Sequence, residues 1–475
     1  MTHGIPAQKT YLFTDLRHVL CSDLQWLGPD GQVLPLRPTG PPVEPVSATA
    51  QMPRGLRFVA QPATKTDPLP PSPYLRSRIL YDGGVYRAWG MRGCGPNKFE
   101  INCTESRDLF DWRLVRTCTV QSPVTTEGEG FTVFMDPQAP AAERYKAVYC
   151  GEPPREQWPA LFAEYQRVHR HHRIWRFSEH FVFTMHGLVS PDGLAWSPLP
   201  GHLMAQYSDT DTSVYFDEPL GRYVMYTRLM FQQRRWIGRA ESEDFRHWGP
   251  VQPLIAPQLD WPMTDDVYLN GFSFYPGEPA YYLMFPMIYH RWNQRSSIHL
   301  YTSDDGIAWL KVPGGAVIEP GPSGSFDSEF LGVGKDLVPM GTDRIALPYM
   351  GTKFPHKYPR WPHVLDAPTY AWAWWPRGRL CALRADNEGS FVTFPLEVAG
   401  RTLRVNARVD RGGELRVGIV DQPGRSVDDC DPITGDSLAR PVHWRGEETV
   451  GIAAGTPVTL EFRLRSTDLF GCEWD

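Results

Sequence analysis

Paired carboxylates recur along this sequence just ahead of short apolar runs that are typical of β-strands. The pairs are Glu127 and Glu129, Asp209 and Asp211, Asp265 and Asp266, and Asp327 with Glu329. Carboxylates that converge on one place repel one another, and burial penalises their charged forms, so such a group suggests catalysis or cation binding. Two carboxyl groups in a sugar-sized pocket can cleave a glycosidic bond, with one donating a proton and the other acting as nucleophile or base.

The carboxylates nearest to the first position of a predicted strand are the catalytic candidates, namely Asp211, Asp266 and Glu329. Other loops carry arginine, histidine and aromatic side chains, which suit sugar hydroxyls, acidic groups and the faces of sugar rings. The predicted substrate-binding residues are Arg78, Glu129, Arg228, Tyr268, His290, Trp292 and His356. An aspartate ahead of a strand can also cap a turn, so a structural interpretation stays open for these carboxylates.

A repeated phrase of Ser, any residue, Asp, three more residues and Trp organises the strands, and we call it the Ser–Asp–Trp phrase. It occupies residues 106–112, 190–196, 242–248 and 303–309, and a degenerate fifth copy lies at 384–391. A period of roughly 50–80 residues indicates a repeat architecture. Asp-Gly favours tight turns, and Ser and Asp side chains bond to nearby backbone groups, so we interpret each phrase as a structural hairpin.

Each repeat contains a pattern typical of four strands, and in the fifth repeat these are predicted at 329–333, 344–350, 379–383 and 391–394. Five four-stranded antiparallel units predict an all-β protein with a five-bladed β-propeller. Beyond residue 395, cleanly alternating runs predict a C-terminal β-sandwich domain. The predicted domains are an N-terminal extended segment (1–73) that packs on the propeller or the sandwich, a catalytic propeller (74–394) and the sandwich (395–475).

The propeller prediction divides the loops between two faces. The turns of the Ser–Asp–Trp phrases fall on one face, whereas the starts of the inner strands and the loops after the second strands fall on the other. We call this second face the variable face, and all the candidate residues belong to it. Function concentrates in long loops on a rigid scaffold, so we expect the substrate to bind there.

Composition excludes several other functions. A formal net charge of -6 with pI ≈ 6.2 gives no basic footprint for nucleic acid. No run approaches about 18 apolar residues, so no membrane span is expected. The N-terminus lacks the pattern of a signal peptide, which predicts a cytoplasmic protein unless a secretion signal has been removed.

Metal and cofactor binding are not predicted either. The eight cysteines show no metal-ligand spacing. No cofactor is expected, and a structural Ca²⁺ ion is conceivable but not indicated. The expected partner is an oligosaccharide or glycoside substrate, and the sequence does not indicate an oligomeric state.

The pattern resembles the five-bladed propeller glycoside hydrolases, the family 32/43/68-like superfamily that contains invertases, fructanases and arabinanases. The Ser–Asp–Trp phrases carry the resemblance, together with Asp136-Pro137 and residues 143–147, 211–217 and 222–226. Residues 462–470 look like the C-terminal sandwich of an uncharacterised bacterial branch labelled family-32-like. The invertase signature Asn-Asp-Pro-Asn-Gly is absent from the first repeat, so the resemblance implies a fold and a reaction class but assigns no catalytic residue.

The resulting hypothesis is a glycoside hydrolase, or a related transglycosylase, that acts on a non-reducing terminal sugar. A glycoside phosphorylase is the second hypothesis, because a basic variable face could hold phosphate. A propeller that binds carbohydrate without catalysis is the third, since propellers often only bind their ligands. Phosphate-dependent turnover separates the second hypothesis from the first, and the absence of any turnover identifies the third.

Overall fold

The computed structural model describes residues 8–21, 53–70, 77–126, 130–169, 183–206, 212–357 and 368–475, with short pieces at 26–27, 33–34, 46–47, 75, 128 and 208–210. Its regular structure is nearly all β-strand, which confirms the all-β prediction. The chain forms two compact units. One comprises residues 1–61, 312–315 and 375–475, and the other comprises 62–311 and 316–374. The domain bounds predicted from the sequence stay a prediction.

Short strands begin the chain: β1 (Thr10–Leu12), β2 (Trp26–Leu27), β3 (Val33–Leu34), β4 (Val46–Ser47), β5 (Arg54–Ala60) and β6 (Thr64–Lys65). Strand β2 pairs with both β3 and β4, whereas β1 and β5 join a sheet that contains the C-terminal strands. A short 3₁₀ helix, Leu16–His18, follows β1. The N-terminal segment therefore contributes strands to sheets built mainly from distant parts of the chain.

Three consecutive antiparallel sheets follow in the second unit. The first contains β7 (Ile79–Asp82), β8 (Val85–Gly95), β9 (Lys98–Ser106) and β10 (Arg113–Gln121). The second contains β11 (Thr132–Met135), β12 (Tyr145–Gly151), β13 (Thr184–Ser190), β14 (Ser197–Pro198) and β15 (Met204–Ala205). The third contains β16 (Ser213–Asp217), β17 (Arg222–Phe231), β18 (Arg234–Ser242) and β19 (Gln252–Ile255). Between β12 and β13 lie the helix α1 (Trp158–Val168) and the 3₁₀ turn Arg155–Gln157, and Ala141–Glu143 forms another 3₁₀ turn before β12.

The fourth repeat is split across its strands into two sheets. One sheet contains β20 (Asp265–Leu269), β23 (Met287–His290) and β24 (Arg295–Ile298). The other contains β21 (Phe272–Tyr275), β22 (Glu278–Met284), β25 (Tyr301–Ser303) and β26 (Leu310–Lys311). Three stretches of this repeat are each divided into two strands by a gap of two residues, at 270–271, 285–286 and 299–300. The part with β20, β23 and β24 carries the candidate residues Asp266, Tyr268 and His290, and Trp292 lies in its turn between β23 and β24.

The prediction for the fifth repeat is wrong in its third and fourth strands. This sheet contains β27 (Phe330–Val333), β28 (Val338–Pro339), β29 (Arg344–Thr352) and β30 (Thr369–Pro376), and β6 from the N-terminal segment is its outermost strand. The segment predicted to supply the third and fourth strands instead forms β31 (Cys381–Val392), which pairs with β5 and with a C-terminal strand. Its apolar residues Leu383, Ala385 and Phe391 pack into the core of the C-terminal strands. The fifth phrase lacks the Ser and Trp side chains that make hydrogen bonds in the turns of the other four phrases.

The Ser–Asp–Trp phrases are structural turns, as predicted. In the fourth phrase, Ser303 donates to Asp305, whose Oδ1 accepts backbone N–H groups of Ile307 and Ala308 at 2.7 and 2.8 Å. The Trp309 indole donates back to the carbonyl of Gly306 at 3.1 Å. The other three phrases repeat this pattern with the same side-chain roles. These turns engage their polar side chains locally and leave none of them for chemistry.

Two kinds of side-chain contact connect successive sheets of the second unit. Tyrosine hydroxyls donate to the aspartate at the end of the first strand of the preceding sheet, in the pairs Tyr145–Asp82, Tyr223–Asp136 and Tyr282–Asp217. Aromatic side chains also donate to the carbonyl inside the Ser–Asp–Trp phrase of the next sheet. These contacts are Trp89 to Gly193 at 2.7 Å, Tyr226 to Gly306 at 2.8 Å and Trp372 to Leu109 at 3.0 Å. The last of these contacts connects the fifth sheet back to the first.

The other unit is built on two long strands, β33 (Leu403–Ile419) and β36 (Leu460–Trp474). The remaining strands are β32 (Leu396–Glu397), β34 (Asp436–Pro441) and β35 (Pro457–Val458). The main sheet has the order β34-β33-β36-β31-β5, with β1 also paired to β36. Alternate residues of β33 are buried, as the alternating sequence predicts. No helix within the described residues has both the length and the apolar character of a membrane span.

Candidate functional site

A cavity of about 460 Å³ lies where the turn between β23 and β24 faces the segment that leads into β27. Most of its lining is polar and can donate or accept hydrogen bonds. The lining residues are His290, Asn293, Arg295, Ser296, Ser297, Glu319, Pro320, Gly321, Ser323 and Ser328. A concave site of this size suits a small molecule, and its hydroxyl and amide groups suit a polar one such as a sugar.

His290 is held on the wall of this cavity by two partners. Its Nδ1 lies 2.9 Å from Oδ2 of Asp265, directly across the β20–β23 pair, and its Nε2 lies 3.2 Å from Oγ of Ser297. Ser297 also lies 3.2 Å from Nε2 of His299. A carboxylate on one ring nitrogen fixes the orientation of an imidazole. His290 was predicted to bind substrate from its loop position, and the structure places it at the cavity.

Glu319 is the carboxyl group that lines the cavity, and its surroundings change its acidity. Burial raises the pKa of Glu319, while His290 and Lys65 partly offset this effect. Lys65 Nζ donates to the backbone carbonyl of Glu319 at 2.5 Å and to Oδ2 of Asp327 at 2.6 Å. Burial opposes the charge of Asp327, but bonds from Lys65 and Ser325 lower its pKa. Glu319 is thus suited to hold a proton, whereas Asp327 is neutralised by a lysine.

Glu329 lies beside the cavity and is ion-paired to one of its lining residues. Arg295 donates from Nε to Oε2 at 2.6 Å and from Nη2 to Oε1 at 2.5 Å. The side chain of Glu329 is 21% exposed, so the carboxylate is accessible from one side. A two-pronged guanidinium bond holds a carboxyl group in a defined orientation. The chain therefore brings together a carboxyl group of raised pKa in the cavity lining and an arginine-paired carboxyl group beside the cavity.

Four rings pack together beside these carboxylates. Tyr268 donates to or accepts from Nε2 of His356 at 3.1 Å, and the His356 ring stacks on Phe330 at 4.5 Å between centroids. Tyr289 contacts both Tyr268 and His356 edge-on. Burial raises the pKa of Tyr289 to about 12, so its hydroxyl stays protonated at neutral pH. The guanidinium of Arg228 lies 4.1 Å from the Tyr268 ring centroid.

Asp266 faces a cluster of arginines. Its side chain is completely buried, and Arg235 Nη1 donates to its Oδ2 at 2.7 Å. Arg291 Nε lies 3.4 Å from Oδ2, and Arg234 Nε lies 3.9 Å from Oδ1. We call Arg234, Arg235 and Arg291 the arginine triad. Asp265 and Asp266 are consecutive, so the two sides of β20 serve the cavity and the triad respectively.

The remaining predicted binding residues lie in different surroundings. Arg78 donates to both oxygens of Asp336 and to the carbonyl of Val214, and although burial opposes its charge, Asp336 raises the pKa of Arg78. Arg228 is buried and ion-paired to Asp209. Trp292 is 70% exposed at the tip of the turn between β23 and β24. Asp211 and Glu129 lie outside the described residues, so their assigned roles stay predictions.

The structure therefore brings together Arg228, Tyr268 and His356, and it places His290 in the cavity lining and Glu329 on the lining residue Arg295. Asp266 adjoins the same ring cluster, because it pairs across strands with Tyr289. Sequence reasoning missed Glu319, Arg295 and the arginine triad. Glu319 stands between the end of an apolar run and a Gly/Ser-rich segment, a weak signal that could have drawn attention to it. Within the described residues, no cluster of three His, Cys, Asp or Glu side chains could hold a metal ion.

The chain is similar to several solved structures. No protein-family model and no curated protein sequence matches it. Among solved structures, a β-1,2-mannobiose phosphorylase from Listeria innocua matches with 11% identity and a TM-score of 0.43, over 78% of this chain and 97% of that one. A fructofuranosidase from Schwanniomyces occidentalis matches with 10% identity and a TM-score of 0.40, over 89% and 96%.

A third similar structure is an α-L-arabinofuranosidase from Podospora anserina, with 12% identity and a TM-score of 0.40 over 66% of this chain and 97% of that one. All three matches have identities of 12% or less and TM-scores of 0.43 or less. At such identities and TM-scores they carry no information about the reaction of this chain.

Proposed function

We propose that this protein is a glycoside hydrolase, or a closely related transglycosylase, that acts on a non-reducing terminal sugar. The observation that carries the proposal is a pair of carboxyl groups: Glu319, which lines the 460 Å³ cavity and has a raised pKa, and Glu329, which is held by the lining residue Arg295. Glycosidic cleavage needs one carboxyl group that donates a proton and one that is ionised, and different surroundings separate their roles. In the proposal, Glu319 is the general acid and Glu329 is the nucleophile or base.

The five-bladed propeller and the C-terminal sandwich are part of the same proposal. The hydrogen bond from Trp372 to Leu109 supports a closed ring, because it joins the last of the successive sheets to the first. The strand β6 on the edge of the fifth sheet supports it too, since a strand from the start of the repeats that completes the last sheet ties the two ends together. In such a ring, the first strands of the sheets surround the axis.

Asp211, Asp266 and Glu329 remain the proposed carboxylates at the strand starts, and the surroundings of two of them now suggest different roles. Glu329 is accessible and touches a cavity-lining residue. Asp266 is buried among arginines, so we assign it the role of positioning the triad rather than attacking substrate. Asp211 lies outside the described residues and is retained as a candidate from the sequence pattern alone.

Screening a panel of aryl glycosides and oligosaccharides tests the proposal. We expect turnover of at least one of them without added phosphate, and loss of that turnover in both Glu319→Gln and Glu329→Gln. The matched control is Glu243→Gln, because Glu243 is an exposed glutamate that also pairs with an arginine, Arg222. Saturable sugar binding without turnover would instead identify a carbohydrate-binding propeller, and turnover that both glutamine variants retain would contradict the assigned pair.

A glycoside phosphorylase is the second candidate, and the arginine triad favours it. Three guanidinium groups surround one carboxylate, so this part of the site carries excess positive charge that could hold phosphate. Turnover that depends on inorganic phosphate, with release of a sugar phosphate, distinguishes this reaction from hydrolysis.

A further inference from the structure

The arginine triad carries more positive charge than its carboxylate neutralises. Asp266 carries one negative charge, whereas Arg234, Arg235 and Arg291 carry three positive charges within 3.9 Å of it. The other charged groups nearby are already paired. Asp265 faces His290, and Arg228 is ion-paired to Asp209.

The triad is held in place by groups that do not remove this charge. Arg234 donates to the backbone carbonyl of Asp265, and Arg291 donates to the carbonyls of Thr264 and Met263 at 3.1 and 3.4 Å. Neutral carbonyls orient a guanidinium group but leave its full charge. Burial lowers the pKa of Arg234; Asp266 opposes this effect, and the charge of Arg291 adds to it.

Besides the excess charge, two guanidinium groups of the triad each have an N–H group without a hydrogen bond in the described part of the chain. The described residues provide no hydrogen-bond acceptor for the buried Nε of Arg234 or of Arg235. Buried guanidinium N–H groups normally find acceptors, because leaving one unpaired costs free energy. Arg291 is the most accessible member, with 38% of its side chain exposed against 19% and 12% for the other two.

The triad lies next to the proposed sugar site. Arg291 lies in the turn between β23 and β24, and its neighbours His290 and Asn293 line the cavity. A substituent on a sugar in the cavity could thus reach Arg291. Arginine forks match the oxygens of carboxylates, phosphates and sulfates.

We propose that the arginine triad binds an oxyanion, and that this oxyanion is a substituent of the glycoside: the carboxylate of an acidic sugar, or a sulfate or phosphate ester. That the oxyanion belongs to a glycoside rests on the proposed function. The binding of an oxyanion by Arg291 and its two neighbours does not, because it requires no turnover.

Calorimetric titration of the full chain at constant ionic strength tests the binding. The probes are glucuronate, galacturonate, inorganic phosphate and inorganic sulfate, with glucose and galactose as neutral counterparts. We expect saturable binding of at least one oxyanion at concentrations where the neutral sugars do not bind. Since one charge-assisted hydrogen bond corresponds to a factor of about ten in affinity, Arg291→Gln should weaken binding by about ten-fold or more.

The control variant is Arg222→Gln, because Arg222 is an exposed arginine that pairs with Glu241 and Glu243. It should bind the oxyanion as the wild type does. Tighter binding of a uronate than of phosphate or sulfate would assign the site to an acidic sugar, and the reverse order would assign it to an ester or to inorganic phosphate. Absence of binding by all four oxyanions, or equal affinity of Arg291→Gln and wild type, would overturn the proposal even if glycosidase activity is found.

Discussion

Arg295 donates two hydrogen bonds, of 2.6 and 2.5 Å, to the carboxyl group of Glu329. Arg295 lines the same cavity as Glu319. The pair crosses from β24 of the fourth repeat to the residue just before β27 of the fifth. Glu329 is thereby paired with a guanidinium group, while burial raises the pKa of Glu319. This difference in surroundings is the basis of the acid and base roles proposed above.

The first prediction concerns the carboxylates at the strand starts. Asp211→Asn and Glu329→Gln should each reduce kcat by about 10²-fold or more, the low end for losing a general acid, base or nucleophile. Asp266→Asn should mainly reduce stability, because it neutralises the carboxylate that faces three buried or half-buried arginines. Measured kcat together with the midpoint of thermal unfolding separates the two effects.

Glu243→Gln serves as the control for Glu329→Gln, since its exposed pair with Arg222 should matter for neither property. An Asp266→Asn variant that is fully stable yet inactive would return this residue to the catalytic group. Near-normal kcat in both Asp211→Asn and Glu329→Gln would move the search to Glu127, Glu129 and Asp327.

The second prediction concerns pH. A general acid works in its protonated form, so kcat should fall as pH rises through the raised pKa of Glu319. Because the folded pKa lies above that of the unfolded chain, the ionised form of Glu319 is disfavoured in the folded state. Its contribution to stability is present at low pH and is lost as pH rises through the folded pKa.

Glu319→Gln is neutral at every pH and isolates this effect. The variant should have a low kcat that lacks the fall at high pH, which we call the alkaline limb. Its free energy of unfolding should increase relative to that of wild type as pH rises towards neutrality. Profiles of kcat and of urea unfolding against pH measure both. An alkaline limb that persists unchanged in a still-active Glu319→Gln variant would assign the titration to another group.

The third prediction concerns Trp292. Trp292 is 70% exposed in the turn whose neighbours His290 and Asn293 line the cavity, so it can stack on a sugar without supporting the core. Trp292→Ala should raise KM by roughly 3- to 10-fold, the effect of losing one aromatic contact, and leave thermal unfolding unchanged. Trp292→Phe should retain most of the affinity because a ring remains. An unchanged KM in the alanine variant would show that this ring does not contact substrate.

The fourth prediction concerns the turn of the fourth Ser–Asp–Trp phrase. Gly306 has φ of 69°, and a Cβ atom there would lie 2.7 Å from the hydroxyl oxygen of Tyr226. Gly306→Val should therefore reduce the free energy of unfolding by about 1–3 kcal/mol, with ligand affinity of the folded fraction little changed. Urea unfolding measures the loss.

Gly277→Val is the comparison for Gly306→Val, because Gly277 has φ of 82° but no atom within 4 Å of the added Cβ. A larger loss at Gly306 would reflect the contact with Tyr226 in addition to backbone strain. Unaltered stability of Gly306→Val combined with lost binding would reverse the assignment of the two faces.

The sequence by itself determined the local turns. Each Ser–Asp–Trp phrase makes its hydrogen bonds within seven residues, so its conformation follows from residue types and spacing alone. The alternating runs near β33 likewise predict a strand with one buried side. The variable-face loops were also informative, since they supplied His290, which lines the cavity, and His356, which contacts Tyr268 of the predicted inner strand.

The tertiary structure decided what depends on contacts between distant segments. The fifth sheet takes β6 as its outermost strand, although more than 300 residues separate Lys65 from Ala373, its partner in the sheet. Glu319 acquires its raised pKa only because folding buries it near His290 and Lys65. The arginine triad assembles from the start of β18 and the turn after β23 around Asp266 of β20, and no spacing in the sequence encodes that meeting. The type of each side chain follows from the sequence alone, whereas its burial and the balance of charges around it depend on how the chain packs.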